Sequence, residues 1–121
     1  MVHDASRRVL VVEDNLDSVH SLVALLRDMG HWAEYAINGY AAVDAARKFQ
    51  PDIVLLDLGL PGLSGFEVCT RLRSDPSLAK VRIYSITAYA QDDYRRRALA
   101  AGCDAHYVKP VTAAQLAHML G

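Results

Sequence analysis

The sequence predicts an α/β fold, a parallel sheet wrapped by helices on both faces, and three observations carry that prediction. Strand-like and helix-like stretches alternate strictly, five times over, with short links; parallel strands need crossovers, and these are right-handed. Two of the strand-like stretches, Val9-Leu10-Val11-Val12 and Ile53-Val54-Leu55-Leu56, are unbroken apolar runs, as expected of strands buried on both faces. Both runs end in acid, Glu13-Asp14 after the first and Asp57 after the second. Ligands of open α/β sheets bind outside the carboxyl ends of the strands, so these acids stand where chemistry is done.

Each element has its own signals. Residues 8 to 13 form the first strand, and Asp14-Asn15 supply capping groups for a helix over about 17 to 29, whose Val19, Leu22, Val23, Leu26 and Met29 recur at helical spacing. Gly30 fits the left-handed residue that often closes a helix. Trp32 to Ala36 is a short second strand, and Asn38-Gly39 is a turn signal able to cap a helix from about 40 to 49. Pro51 ends that helix, and the central strand follows. Beyond the turn-forming Leu58-Gly59-Leu60-Pro61-Gly62, Gly65 opens a helix with Phe66, Cys69 and Leu72 on one face and Arg71 and Arg73 pointing outward. Ser74-Asp75-Pro76 breaks it. Residues 81 to 86 form the fourth strand with Thr87 at its end, a helix over about 91 to 101 is closed by Gly102, and Ala105 to Val108 is the fifth strand. Thr112 caps a last helix whose Leu116, Met119 and Leu120 read as core rather than as a docking stripe.

A chain of 121 residues fits one domain over 1–121. With 52% hydrophobic and 22% charged residues and a formal net charge of −1, it reads as an ordinary globular protein, and bulk charge gives no indication of direct nucleic-acid binding. No apolar run approaches the ~20 residues that span a bilayer, and the first residues lack the apolar core of a signal peptide, so the expected compartment is the cytoplasm and no membrane contact is expected. Cys69 and Cys103 lack metal or redox spacing and are expected to be free thiols without a role. The five histidines show no metal-ligand spacing, and Arg95-Arg96-Arg97 reads as the wet face of a helix.

The polar residues just past the strand ends form the chemically informative set: Glu13, Asp14, Asp57, Thr87 and Lys109. Carboxylates gathered together repel one another, and their oxygens are the hard ligands that Mg²⁺ prefers, so the cluster predicts a divalent ion. Thr87 and Lys109 add a hydroxyl donor and a fixed positive charge, the features that would hold a phosphoryl group on a carboxylate beside that metal. Asp57 is the natural nucleophile.

In order and spacing, Glu13-Asp14, Leu55-Leu56-Asp57-Leu58-Gly59-Leu60-Pro61-Gly62-Leu63-Ser64-Gly65, Thr87-Ala88 and Val108-Lys109-Pro110 resemble the receiver domains of bacterial two-component response regulators, over residues 8 to 120. The style of residues 101 to 110 is most similar to receivers of hybrid histidine kinases. The resemblance implies a flavodoxin-like five-stranded sheet of order 2-1-3-4-5. It implies that Asp57 accepts a phosphoryl group from phosphohistidine on a histidine kinase or phosphotransfer protein. Asp14 and Asp57 would bind Mg²⁺ (or Mn²⁺) directly, Glu13 through a water and Gly59 through its backbone carbonyl, with Thr87 and Lys109 opposite. Such a domain is not a stand-alone enzyme but catalyses its own phosphorylation and dephosphorylation, and passes its state to a downstream protein partner by contact or onward transfer. The resemblance also implies a cis bond before Pro110. Two positions depart from the commonest pattern: His106 stands where relatives usually carry Tyr or Phe, and Gly59 where many carry a larger side chain that affects water access, with Tyr89 two residues after Thr87.

Other functions fit less well. A flavin-binding flavodoxin needs a phosphate-binding first loop, which Glu13-Asp14 would repel. A dehalogenase-type phosphatase needs a second Asp where Gly59 stands. A phosphorylation-independent interaction module is the alternative that keeps the fold.

Overall fold

The computed structural model describes residues 6–88 and 92–121. The expectations attached to His3, to Tyr89 and to a helix start at 91 lie outside these residues. The elements are β1 (Arg8–Val12), α1 (Leu16–Asp28), β2 (Trp32–Ala36), α2 (Gly39–Phe49), β3 (Ile53–Asp57), α3 (Gly65–Ser74), a 3-10 turn (Pro76–Leu78), β4 (Arg82–Thr87), α4 (Asp92–Ala101), β5 (Ala105–Val108) and α5 (Ala113–Leu120). Helix starts follow the capping residues. The side chains of Asn15, Asn38 and Ser64 accept from the N–H groups of Ser18, Ala41 and Glu67, and Thr112 forms a reciprocal capping box with Gln115. Such caps are each worth about 1 kcal/mol. Gly30 and Gly102 take the left-handed conformation after α1 and α4, at φ of 93° and 111°.

All strand pairs are parallel, in the order β2-β1-β3-β4-β5. The side-chain period of two divides each inner strand between two cores. Val9, Val11, Ile53, Leu55, Tyr84 and Ile86 face α1 and α5. Leu10, Val12, Val54, Leu56 and Ile83 face α2, α3 and α4. β3 is buried at all five positions, as its apolar run predicts. A fully buried Leu, Ile or Val is worth about 1.5–3 kcal/mol over an exposed one, so this strand anchors the fold and sets Asp57 firmly at its end. Leu116, Met119 and Leu120 are buried, as expected of core residues.

Four details differ from the sequence reading. Met29, expected on the apolar stripe of the first helix, is instead the C-cap of α1 and is exposed, because the stripe has rotated out of the core by that turn. The break after α3 contains the 3-10 turn at Pro76–Leu78. Thr87 is the last residue of β4 rather than the residue beyond it. Arg73 does not point outward: its guanidinium donates to the carbonyls of Gly102, Ala79 and Val81 and to the carboxylate of Asp104. The long aliphatic stem lets a residue on the flank of a helix turn inward, and the planar fork satisfies carbonyls that no ladder reaches.

Candidate phosphoacceptor site

The strand register gathers the five expected residues on one rim. Asp57 pairs with Ile86 across β3 and β4, and Thr87 pairs with Val108 across β4 and β5. Glu13 and Lys109 lie one residue past their strands, yet ladder-like bonds still hold their backbones: the Glu13 N–H donates to Ala36 O at 3.1 Å and the Lys109 N–H to Thr87 O at 2.8 Å. The Lys109-Pro110 bond is cis, as the resemblance implied. Gly65 brings the start of α3 against the same rim, because a Cβ there would meet Leu58 Cα at 2.6 Å and Asp57 O at 2.8 Å.

Lys109 links two of the three acids. Its Nζ donates to Glu13 Oε2 and to Asp57 Oδ2, each at 2.8 Å. The other oxygen of Asp57 accepts from the Gly59 N–H at 2.9 Å, and Glu13 Oε1 accepts from the Asn15 N–H at 3.3 Å. Glu13 and Asp57 are buried, at 8% and 9% exposure. The two carboxyls share Lys109 as a donor, and their pKa values diverge. Burial, with the neighbouring Asp57 carboxyl, pushes Glu13 up. Burial also works against charge on Asp57, but the neighbouring Glu13 carboxyl and the hydrogen bonds from Lys109 and the Gly59 N–H outweigh it and lower its pKa. Burial opposes the charge on Lys109 too, and the two acids more than restore it, so its pKa is raised. The site therefore favours an ionised Asp57 beside an ammonium, the charge state of a nucleophile with its neutralising partner.

Asp14 is exposed beside them, and Glu13, Asp14 and Asp57 each offer a carboxylate oxygen with these atoms within 4.8 Å of one another. An all-oxygen donor set of this size, open to solvent through Asp14, suits Mg²⁺, which keeps several waters. Thr87 is buried at 1% exposure. The rim continues into an apolar cavity of about 300 Å³ between α1 and α5, lined by Leu22, Leu25, Val111 and Leu116, a feature the sequence reading did not foresee.

A second polar pair was also unforeseen. His106 Nδ1 lies 2.7 Å from the hydroxyl of Ser85, and Ser85 donates to Ala105 O at 3.3 Å. Nε2 of His106 is buried without a hydrogen-bond partner among the described residues. Burial and the nearby Arg95 push the His106 pKa down. Alternation along β4 places Ser85 on the face of Thr87, and a known β4–β5 register would have found its partner.

Comparison with known proteins gives a consistent result. The family model described as the response regulator receiver domain matches residues 9–121. The polar-differentiation response regulator DivK of Brucella anthropi is 33% identical over 106 residues, 88% of this chain and 86% of that protein. Among solved structures, the receiver domain of a sensor histidine kinase from Pseudomonas aeruginosa PAO1, with magnesium in its active-site cleft, matches with a TM-score of 0.85 at 31% identity, covering 95% of this chain and 94% of that one. The Vibrio cholerae chemotaxis protein CheY4 matches with a TM-score of 0.87 at 25% identity, covering 95% and 96%.

Proposed function

The chain belongs to the response regulator receiver domain family of two-component signalling, and from that premise we propose that Asp57 is its phosphoacceptor. The observation that carries the assignment is the Asp57 carboxylate itself, buried, bonded to Lys109 and set within a cluster of three acids. The donor is phosphohistidine on a histidine kinase or a phosphotransfer protein. An Asp57 oxygen forms the new bond to phosphorus as the N–P bond to the donor imidazole breaks, and the released imidazole takes up a proton. Lys109, already fixed by its backbone bond to Thr87, lies close enough to hold negative charge on the transferring group, and Thr87 supplies a hydroxyl on the adjoining strand. Phosphoryl transfer makes few covalent demands of the protein, so positioning and charge neutralisation are the whole of the task.

Asp14 and Asp57 would hold Mg²⁺ (or Mn²⁺) directly, with Glu13 acting through a water and Gly59 through its carbonyl. When bound, the ion supplies further neutralisation of phosphoryl charge. The acyl phosphate on Asp57 is open to hydrolysis, so the domain catalyses its own phosphorylation and dephosphorylation without being a stand-alone enzyme. The same reading takes residues 1–121 as one receiver domain acting in the cytoplasm and reporting to a downstream protein partner. Among the described residues no helix is long and apolar enough to cross a membrane.

The test is incubation with phosphoramidate and Mg²⁺ followed by intact-mass measurement. The chain should gain one phosphoryl group, whereas Asp57→Asn, or the intact chain with a chelator, should gain none. Phosphorylation of Asp57→Asn at the parental rate would move the acceptor elsewhere.

A further inference from the structure

Away from the rim, two thiols lie in contact. Cys69 on α3 and Cys103, in the turn before β5, are 34 residues apart in sequence, yet their sulfurs lie 3.3 Å apart. Both are free and buried, Cys69 completely and Cys103 at 5% exposure. We propose that Cys69 and Cys103 form a dithiol oxidation site, closed to a disulfide by a hydroperoxide, and that the closed form ties α3 to the turn from which β5 enters the sheet.

The surrounding structure holds the sulfurs in register. Arg73 stands one helical turn beyond Cys69, on the same side of α3, and its Nε donates to Gly102 O at 2.9 Å while Nη2 reaches Asp104 at 2.7 Å. The residues on either side of Cys103 are thus clamped to α3. Asp104 also accepts from the Ile83 N–H at 2.7 Å, and the Cys103 N–H donates to Ala98 O at 3.0 Å, so β4 and α4 fix the same turn. From 3.3 Å, the sulfurs need to close by little more than about 1 Å to bond. Such preorganisation is what separates a bridging pair from two cysteines that happen to share a core.

The two thiols differ in exposure: Cys69 is fully enclosed, while Cys103 keeps a residual 5%. Cys103 is therefore the attacking sulfur, the one a hydroperoxide reaches first, and Cys69 the resolving one. The Cys103 thiolate attacks a peroxide oxygen, the O–O bond breaks, and the departing hydroxide or alkoxide takes a proton, which leaves a sulfenic acid. The Cys69 sulfur then attacks the Cys103 sulfur, the S–O bond breaks, and water leaves with the Cys69 proton. Two thiols and one hydroperoxide become one disulfide, one water and one alcohol, or two waters for hydrogen peroxide. The thiols lose two electrons and the peroxide gains them. In a reducing compartment the bridge is transient, the usual character of an intracellular disulfide.

The experiment uses the full chain, folded, exposed to hydrogen peroxide, quenched with catalase, and alkylated with N-ethylmaleimide in denaturant before intact-mass and peptide mapping. The expected product is a monomer lighter by two hydrogens, taking no maleimide, with a Cys69–Cys103 crosslinked peptide; dithiothreitol should restore two labels. Cys69→Ala should stop at a sulfenic acid on Cys103 that dimedone captures, and Cys103→Ala should leave Cys69 a thiol. Two labels persisting on the parent chain, at a peroxide dose that fully oxidises glutathione, would overturn the proposal. So would a bridge that forms only between chains, or only after the chain is unfolded in guanidinium. These readouts on the parent chain decide the matter even if a variant fails to fold.

Discussion

Two polar clusters among the described residues solve opposite problems. At the rim, Glu13, Asp14, Asp57 and Lys109 gather formal charges beside solvent, and each of the four oxygens of the two buried carboxylates has a donor. Between β4, β5 and α3, Ser85, Cys69 and Cys103 are buried and His106 half-buried, with Nε2 of His106 left without a partner among the described residues. A charged site has to stay partly wet, because taking ions fully out of water costs several kcal/mol each. A neutral site tolerates deep burial and depends instead on steric placement. The difference teaches where each kind of chemistry belongs: charge transfer at the strand ends, and neutral, shape-dependent contacts within the layers.

The strongest way to break this contrast is to remove the cation at the rim. Lys109→Ala leaves Glu13 and Asp57 facing each other without their shared donor. Phosphorylation of Asp57 by phosphoramidate is expected to slow about 100-fold, the usual cost of losing one preorganised charge-stabilising donor. Stability should fall less, by about 1 kcal/mol, because the Lys109 side chain is 36% exposed and water screens the pair. Single-turnover labelling and urea unfolding check the two parts. Labelling at the parental rate would mean that the lysine is structural and not part of the chemistry.

The two clusters were also unequally legible. The rim could be read because each member follows a recognisable strand end, and local periodicity alone places such a residue. Val9–Val12 announces Glu13 and Asp14, and Ile53–Leu56 announces Asp57. The helices were legible for the same reason, through their caps at Asn15, Asn38 and Thr112. Nothing local announces that Cys69 meets Cys103, since the contact depends on the rotational phase of α3 and the path of a turn 34 residues later. Arg73 was misplaced on similar grounds: a helical wheel assigns a direction to Cβ, while the guanidinium ends far from it and follows whichever carbonyls are unsatisfied.

A smaller effect sharpens the neutral side of the comparison. If Ser85 donates to Ala105 O, His106 donates to Ser85 through Nδ1–H, and protonation would place an N–H at Nε2 with no acceptor among the described residues. Burial and Arg95 hold its folded pKa below the ordinary value of 6.5. The unfolded chain therefore binds the proton first as pH falls. This contribution is intact above 6.5 and is lost as pH drops from there through the folded value. Urea unfolding at acid and neutral pH should show a greater acid loss in the parent chain than in His106→Gln. Equal losses would show that the ring is protonated in the folded state without penalty.

The smallest expected effect tests the openness of the rim. A Cβ built on Gly59 meets only Asp57 Oδ1, at an ordinary 3.6 Å, and Gly59 is not among the glycines with positive φ. Gly59→Ala therefore introduces neither clash nor backbone strain, and it removes freedom from the unfolded chain. The variant should be more stable by about 0.5 kcal/mol. Its Asp57 should still be phosphorylated, because the Gly59 N–H that donates to Asp57 survives the substitution. Urea midpoints and phosphoramidate labelling measure both. A loss of stability instead would show that the loop after β3 has no room beside the carboxylate, and that the charged cluster is packed as closely as the neutral one.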